Sequence, residues 1–454
     1  MSAASRRARR RTPPGARELA LQILIAAESR SAYSDRLLQS RLRDEAPSPE
    51  DARLCTALVQ GVLRRRGTID HHLAALSGSN WERLPLAIRS ALRIGAFQLL
   101  YLERIPASAA VAESVALAKR HGHPGTAGLA NAVLRKLASG ARAPLPDPAA
   151  DPVAHLAAKH SHPEWIVRRW LGRLGLETAE RWLEADNEEP RISVRASAGR
   201  ISVEELARRL ESAGHTASPG PNGGPVLLLS GGFVAAGSPL FRQGLLSLQD
   251  EAESVVVPVL DPRPGERVLD LCAAPGGKAS QIAERVVPEG RVTAVERHRS
   301  RAAALRENLL GRLGLARVDV VSADGASPPF SRAFDRVLLD APCSGLGVLR
   351  RRADARWRKA ETVVQAMAEL QRSLLAAAAA LTRPGGVLVY SVCSLEPEET
   401  DEIVDSFLAA HGEWTREDAR PFLPPAFRGP EPALRATPFQ HGTDGVFAAR
   451  LRRR

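Results

Sequence analysis

Two cysteines of this chain follow predicted β-strands within short polar motifs. Cys343 lies in Asp340-Ala-Pro-Cys-Ser-Gly345, and Cys393 lies in Tyr390-Ser-Val-Cys-Ser394. A lone cysteine is usually a small buried apolar residue. A thiolate is also the soft nucleophile that can attack an electron-poor ring, provided that its pKa falls from about 8.5. Two cysteines at two strand ends therefore make nucleophilic catalysis a candidate function.

A glycine-containing turn lies between another predicted strand and a helix, in Asp270-Leu-Cys-Ala-Ala-Pro-Gly-Gly-Lys-Ala-Ser280. Its two glycines let a ligand approach the backbone, and the helix start presents free N–H groups. The dinucleotide pattern GxGxxG is absent. The phosphate loop GxxxxGK[ST] is excluded too, because residues 272 and 279 are Cys and Ala. The turn therefore favours a nucleoside ligand without a polyphosphate.

Three acidic residues follow successive predicted strands. Glu296 comes 19 residues after Gly277, the spacing at which an acid can hold ribose hydroxyls. Asp324 follows the next strand and could contact an adenine edge, and Asp340 ends the strand after that. Each acid alone could be a helix cap or a surface charge. The three together favour a nucleoside site.

The elements that must position these residues begin at Asp261, where strands and helices alternate regularly. This alternation predicts a parallel, doubly wound α/β sheet, which binds ligands beyond the carboxyl ends of its strands. The predicted strands are Arg267–Leu271, Arg291–Glu296, Arg317–Ser322, Asp335–Asp340 and Gly386–Val392.

The preceding residues predict a multidomain chain. Apolar residues recur at helical spacing through residues 16–138, which indicates an all-α bundle. We expect five regions: a basic tail (1–15), the helical domain (16–140), a proline-rich linker (141–154), a helical and then α+β RNA-binding subdomain (155–245), and the α/β domain (246–454). His155, His160 and His162 lack carboxylate or Cys partners at ligand spacing, so no metal site is predicted.

Composition narrows the class of protein. The 454 residues are 44% hydrophobic and 25% charged, as is typical of a globular protein. No apolar stretch approaches the roughly 20 residues that span a bilayer, and the arginine-rich start lacks the apolar core of a secretory signal. The spacings of the four cysteines exclude a small disulfide scaffold and a CxxC zinc site. We therefore expect a cytoplasmic protein with no membrane partner, which acts as a monomer.

The positive charge is concentrated near the start of the chain. The net charge is +12, and residues 1–140 hold 22 Lys and Arg against 11 Asp and Glu. A basic helical domain beside a nearly neutral remainder predicts a polyanion-binding module. Charge alone does not distinguish RNA from DNA.

Together the motifs resemble the RNA cytosine-5 methyltransferases, and within them the RsmB (Sun/Fmu) family acting on small-subunit ribosomal RNA. The resemblance runs from the Cys343 motif to Trp357, through Ser391-Val-Cys-Ser-Leu-Glu-Pro-Glu-Glu399, and to Gly442-Thr-Asp-Gly445. The helical region, which ends in Leu129-Ala-Asn-Ala-Val-Leu-Arg-Lys-Leu137, looks like a NusB-type RNA-binding domain. The implied α/β fold is a Rossmann-like S-adenosylmethionine methyltransferase domain.

The resemblance also implies roles for individual residues. Cys393 would be the nucleophile that attacks carbon 6 of a cytosine, Cys343 would assist product release, and Asp340 would hydrogen-bond the base. Glu296 would hold the ribose of S-adenosylmethionine, while Asp324 and Asp340 would line its adenine and methionine sides. The remaining cofactor contacts implied are Cys272, Ala273, Ala274, Pro275, Gly276, Gly277 and Lys278.

Two alternatives stay open at this point. The basic helical domain could belong to an RNA-binding or antitermination factor whose α/β domain is only a scaffold, although the presence of both cysteines and Asp340 disfavours this. The substrate could also be transfer RNA or DNA. DNA cytosine-5 methyltransferases use their Pro-Cys cysteine as nucleophile, which would be Cys343 here.

Overall fold

A computed structural model describes residues 14–29, 33–78, 81–230 and 232–454. Most of the basic tail expected at residues 1–15 therefore lies outside the described residues. The chain forms two compact units, of which the first comprises the residues up to Asn187 together with Arg352–Lys359. The second comprises Glu188–Arg351 and Ala360–Arg454.

The first unit is helical, as its apolar periodicity predicts. Leu19, Ile23, Leu58 and Leu92 are fully or almost fully buried in its core. Its helices are α1 (Ala16–Ser29), α2 (Ser34–Glu45), α3 (Pro49–Ser77), α4 (Leu86–Tyr101), α5 (Ala107–His121), α6 (Pro124–Ala138), α7 (Pro152–His160), α8 (Glu164–Leu174) and α9 (Leu176–Ala185).

Residues 352–359 belong to this helical unit although they come much later in the chain. Arg356 is fully buried and donates to the backbone oxygens of Ser161 and Asp186, both at 3.0 Å, and to Asn187 Oδ1 at 2.9 Å. The Trp357 indole donates to the oxygen of Leu63 at 2.7 Å. This later segment therefore forms part of the helical unit's interior.

The second unit contains two sheets. The smaller is antiparallel in the order β2-β3-β1-β4 and packs against one amphipathic helix, α10, through Leu206 and Leu210. Its elements are β1 (Ile192–Ala196), α10 (Val203–Ser212), β2 (Ala217–Pro219), β3 (Leu227–Leu229), α11 (Pro239–Arg242) and β4 (Leu246–Leu248).

The larger sheet has eight strands, seven of them in the order β10-β12-β9-β8-β5-β6-β7, and β11 pairs with β12. Strands β5 to β9 are parallel to one another. The elements are α12 (Glu251–Ser254), α13 (Val256–Leu260), β5 (Arg267–Asp270), α14 (Gly277–Val286), β6 (Arg291–Glu296), α15 (Arg299–Arg306), β7 (Val318–Ser322), β8 (Phe334–Asp340), α17 (Thr362–Ala380), β9 (Thr382–Val392), α18 (Asp401–Ala410), β10 (Trp414–Glu417), β11 (Leu434–Ala436), α19 (Pro438–His441) and β12 (Val446–Arg453). Helix α16 (Ala355–Arg358) comes between β8 and α17 in the chain and belongs to the helical unit.

The parallel core confirms the α/β prediction, but the sheet as a whole is mixed. Strand β12, which is not among the strands predicted from the sequence, runs antiparallel to both β9 and β10 at this edge. Strand order reverses between β5 and β8, and ligands of such sheets bind at this topological switch point. The turn at 271–278 and the Cys343 motif both lie at the carboxyl ends of these two strands.

The two compact units have other limits than the five regions expected from the sequence. Those five regions remain predictions. Helices α7 to α9 lie in the first unit, and α7 packs against α3, whereas the sequence places them in a subdomain with the small sheet. None of the helices in the described part of the chain is long and apolar enough to cross a membrane.

Candidate active site

The two cysteines of the predicted site lie side by side. Cys343 follows β8 and Cys393 follows β9, and these strands are parallel neighbours that pair Asp340 with Ser391. The two Sγ atoms are 2.9 Å apart. The backbone N–H of Gly347 donates to the oxygen of Cys393 at 3.1 Å, which closes one motif over the other.

The surroundings of Cys343 favour its protonated form. The hydrogen bond with Cys393 raises the pKa of the Cys343 thiol well above its usual value, and burial and the negative charge of Glu399 raise it further. Cys343 therefore keeps its proton at neutral pH. A protonated Cys343 can donate a hydrogen bond to a thiolate at Cys393.

The glycine turn has a backbone that only glycine adopts readily. Gly276 has φ +106°, and a Cβ placed there would lie 2.8 Å from Leu305 Cδ1. The Asn308 amide donates to the oxygen of Pro275 at 3.0 Å, and the N–H of Ala273 donates to the oxygen of Val295 at 2.8 Å. Both ends of the turn are thus held by neighbouring elements.

Lys278 lies between two carboxylates. Its Nζ donates to Asp340 Oδ2 at 2.8 Å and also contacts Glu253 of α12. The lysine is only 8% exposed, so solvent screens these contacts weakly. Asp340 is thereby fixed at the end of β8, three residues before Cys343.

Glu296 and Asp324 lie at the carboxyl ends of β6 and after β7. Glu296 is buried, accepts from the N–H of His298 at 2.8 Å and forms an ion pair with Arg301. Asp324 is more exposed, accepts from the N–H of Ala326 at 3.0 Å and forms an ion pair with Arg297. Each carboxylate is anchored by one of its oxygens to the backbone of its own loop.

Cys272 differs chemically from the thiol pair. Burial raises its pKa, and the negative charges of Asp270, Asp340 and Glu296 raise it further. These charges act on Cys272 because the three carboxylates surround the glycine turn. Cys272 therefore stays a neutral thiol, which suits a wall of a binding site rather than a nucleophile.

The sequence reasoning missed Asp270 and Glu253. Asp270 is fully buried at the end of β5, both of its carboxylate oxygens lack a side-chain partner, and burial raises its pKa. An acid as the last residue of a strand beside a glycine turn is a signal that could have been read. Glu253 carries no such signal, since it precedes the sheet in a short helix.

The charged side chains around the glycine turn fit a positively charged nucleoside derivative. The carboxylates around the turn outnumber its cations, which are Lys278, Arg297 and Arg301, and this acidic balance suits a cation such as S-adenosylmethionine better than a phosphate. Open space beside Gly277 also leaves room at the helix start, since a Cβ there would meet nothing closer than Gln249 at 3.9 Å. Among the residues described, no cluster of three or more His, Cys, Asp or Glu could hold a metal ion.

Comparisons with protein families cover almost the whole chain. Residues 257–452 match the model of 16S rRNA methyltransferase RsmB/F, and residues 14–139 match the NusB family. Residues 162–234 match a ferredoxin-like domain of RsmF/B-like methyltransferases.

Relatives and solved structures are similar over most of their lengths. The probable ribosomal RNA small subunit methyltransferase B of Bacillus subtilis is 35% identical, covering 96% of this chain and 98% of its own. The similarly described protein of Synechocystis is 34% identical, covering 96% and 99%. The crystal structure of PH0851 has a TM-score of 0.81 at 27% identity, covering 96% of this chain and 99% of its own.

Proposed function

Because the chain belongs to the RsmB/F family of 16S rRNA methyltransferases, we propose that it methylates carbon 5 of a cytosine in small-subunit ribosomal RNA with S-adenosylmethionine as methyl donor. The observation that carries this proposal is the 2.9 Å separation of the Cys343 and Cys393 sulfur atoms beside an acidic nucleoside turn. A methyltransferase that acted on oxygen or nitrogen would not need two thiols there.

We assign the cofactor to the turn formed by residues 272–278. Glu296 would accept hydrogen bonds from the ribose hydroxyls, Asp324 would accept one from the adenine amino group, and Asp340 would face the positively charged methionine end. When bound, S-adenosylmethionine supplies an electrophilic methyl group. Lys278 contributes by holding Asp340 in place.

Cys393 would act as the nucleophile. Its thiolate adds to carbon 6 of the cytosine, which makes carbon 5 electron-rich and able to accept a methyl group. Water then takes up the carbon 5 proton, which restores the 5,6 double bond and expels the Cys393 sulfur as a thiolate. Cys343, which holds its proton, stabilises the neighbouring thiolate as it forms and leaves. Asp340 would hydrogen-bond the base during these steps.

The helical unit would bind the RNA. Arg65 lies over the Tyr101 ring at 5.3 Å. Burial raises the pKa of Tyr101, and the nearby positive charges of Arg65 and the exposed Arg142 lower it in part. Cations beside an aromatic ring suit phosphate contacts and base stacking. The target cytosine must be unstacked to reach Cys393, so a loop or an opened helix is the expected site. Such a substrate makes a cytoplasmic location the natural one.

Labelled methyl transfer tests the reaction and the nucleophile. Wild type, Cys393→Ala and Cys343→Ala would be given labelled S-adenosylmethionine and unmodified small-subunit ribosomal RNA, with matched transfer RNA and DNA as controls. We expect transfer to the ribosomal RNA by wild type and a loss of at least 1000-fold in Cys393→Ala. Nuclease digestion should give labelled 5-methylcytidine.

Other outcomes would identify the alternatives. If only Cys343→Ala were inactive, the nucleophile would follow the DNA-enzyme pattern. Transfer to transfer RNA or DNA alone would overturn the substrate. If wild type bound ribosomal RNA but methylated no nucleic acid, an RNA-binding factor with a scaffold domain would be the better conclusion.

A further inference from the structure

Glu399 is a buried carboxylate between the two cysteine motifs. It lies in the turn after β9, and its side chain is inaccessible to solvent. The hydrogen-bond donors that reach its two oxygens come from Ser344, Gln371 and Ser394, all of which are uncharged. Burial of a carboxylate is costly unless hydrogen bonds satisfy it, so this network must be well aligned.

The carboxylate joins the residues that directly follow the cysteines. Its Oε1 accepts from the backbone N–H of Ser344 at 2.6 Å, and its Oε2 accepts from the hydroxyl groups of Ser344 and, at 2.5 Å, of Ser394. Ser394 Oγ in turn accepts from the N–H of Glu396, which leaves its own hydrogen for Glu399. One side chain thus fixes both cysteine-bearing loops.

Gln371 extends this contact to the other side of Cys343. Its Nε2 donates to Glu399 Oε1 at 3.0 Å and to the oxygen of Pro342 at 2.9 Å. Gln371 is fully buried on helix α17, which is 19 residues long. Pro342 and Ser344 are therefore both tied to the same rigid pair of side chains, with Cys343 between them.

We propose that Glu399 is a positioning residue that sets the separation of the two reactive sulfur atoms. Its significance for catalysis rests on the proposed function, whereas the positioning itself does not. The backbone already joins the two loops through the Gly347 N–H to Cys393 oxygen bond, and Glu399 adds the side-chain contacts that fix the residues next to each sulfur atom. The negative charge of Glu399 also helps to keep the proton on Cys343.

Oxidative cross-linking measures this positioning without RNA. Diamide oxidises two neighbouring thiols to a disulfide, is itself reduced to the hydrazine and takes up both thiol protons. The rate of the Cys343–Cys393 cross-link would be followed by mass spectrometry of the bridged peptides. The variants are Glu399→Ala and the conservative Glu399→Gln, with Glu402→Gln, an exposed glutamate on α18, as the matched control.

Whether the cross-linking rate rises or falls distinguishes a loss of alignment from a loss of negative charge at Glu399. Removing the charge alone would lower the pKa of Cys343 and accelerate oxidation, whereas loss of alignment slows it. We expect Glu399→Ala to cross-link at least tenfold more slowly, Glu399→Gln to recover part of the rate, and Glu402→Gln to stay within twofold of wild type. A wild-type or faster rate in Glu399→Ala would overturn the proposal.

A milder variant tests the same contact in case Glu399→Ala does not fold. Ser394→Ala removes one hydroxyl group and no charge, and we expect it to slow cross-linking about threefold while the melting temperature stays close to wild type. In the methyl-transfer assay, Ser394→Ala and Glu399→Gln should each lower kcat with little change in KM for S-adenosylmethionine. Unchanged cross-linking in folded Ser394→Ala and Glu399→Gln would refute positioning, while inactivity of wild type would refute only the proposed function.

Discussion

The Lys278 ammonium group donates to Asp340 Oδ2 at 2.8 Å while it also contacts Glu253. Lys278 belongs to the first turn of α14, Asp340 ends β8, and Glu253 precedes the sheet. One cation therefore connects three separate elements at the topological switch point, where it holds the carboxylate that ends β8.

Replacing Lys278 by Met should leave two partly buried carboxylates without their cation. Such losses cost about 1–3 kcal/mol when the acceptors retain some solvent. We expect a lower melting temperature and at least tenfold weaker binding of S-adenosylmethionine, measured by calorimetry. Lys136→Met, on the exposed surface of α6, should change neither quantity. Unaltered cofactor binding in Lys278→Met would argue against its place in the site.

The two adjacent glycines of the turn should respond differently to a methyl group. Gly276→Ala would force a non-glycine residue to φ +106° and bring its Cβ to 2.8 Å from Leu305, so the turn must shift. Gly277→Ala meets only Gln249 at 3.9 Å. Thermal unfolding should show a drop of several degrees for Gly276→Ala and little change for Gly277→Ala. Equal melting temperatures for the two variants would contradict this conformation of the turn.

Arg356 should matter for the stability of the helical unit. Replacing it by Met removes the donor of three buried hydrogen bonds to Ser161, Asp186 and Asn187. Unsatisfied buried acceptors of this kind cost about 1–3 kcal/mol each, so a loss of roughly 3 kcal/mol or more is expected in denaturant unfolding. Arg352→Met, which changes an exposed side chain, is the control. Similar stabilities of the two variants would be incompatible with this network.

Acid should destabilise the first unit through His162. Burial, followed by the positive charge of Arg356, holds the pKa of this imidazole well below 6.5. In the unfolded chain the histidine binds a proton near pH 6.5, while in the folded chain it does not. The free energy of unfolding therefore falls as the pH drops below about 6.5, by up to about 1.4 kcal/mol per pH unit.

Unfolding at pH 5.0 and 7.5 measures that dependence. His162→Gln should lose less stability between the two values than wild type does. His123→Gln, which replaces an exposed histidine, should retain the wild-type dependence. A pH dependence that is the same in His162→Gln and wild type would exclude His162 as its source.

Residues of the candidate site that lie at strand ends could be predicted from the sequence, because parallel strands bring their carboxyl ends to one edge. This is why Cys343 and Cys393, far apart in the chain, were expected together, and the family suggested by their motifs is confirmed. Strand β9 begins earlier than expected, at Thr382 rather than Gly386, because Pro384 and Gly385 favour a turn in isolation.

Side chains that act through contacts far apart in sequence could not be predicted in this way. Glu399 and Gln371 carry no periodic or motif signal for their shared hydrogen bond. Similarly, the basic stretch that holds Arg356 and Trp357 gives no local sign of burial, yet both residues have hydrogen-bond partners in the helical unit. Their burial depends on tertiary packing, which local composition does not predict.

The late segment that completes the helical unit has a consequence for biosynthesis. A nascent chain carries α1 to α9 once residue 185 has been made, but Arg356 and Trp357 are translated about 170 residues later. Domains generally fold in order as they leave the ribosome. Here the acceptors of Arg356, which follow α7 and α9, stay hydrated until most of the second unit has been made.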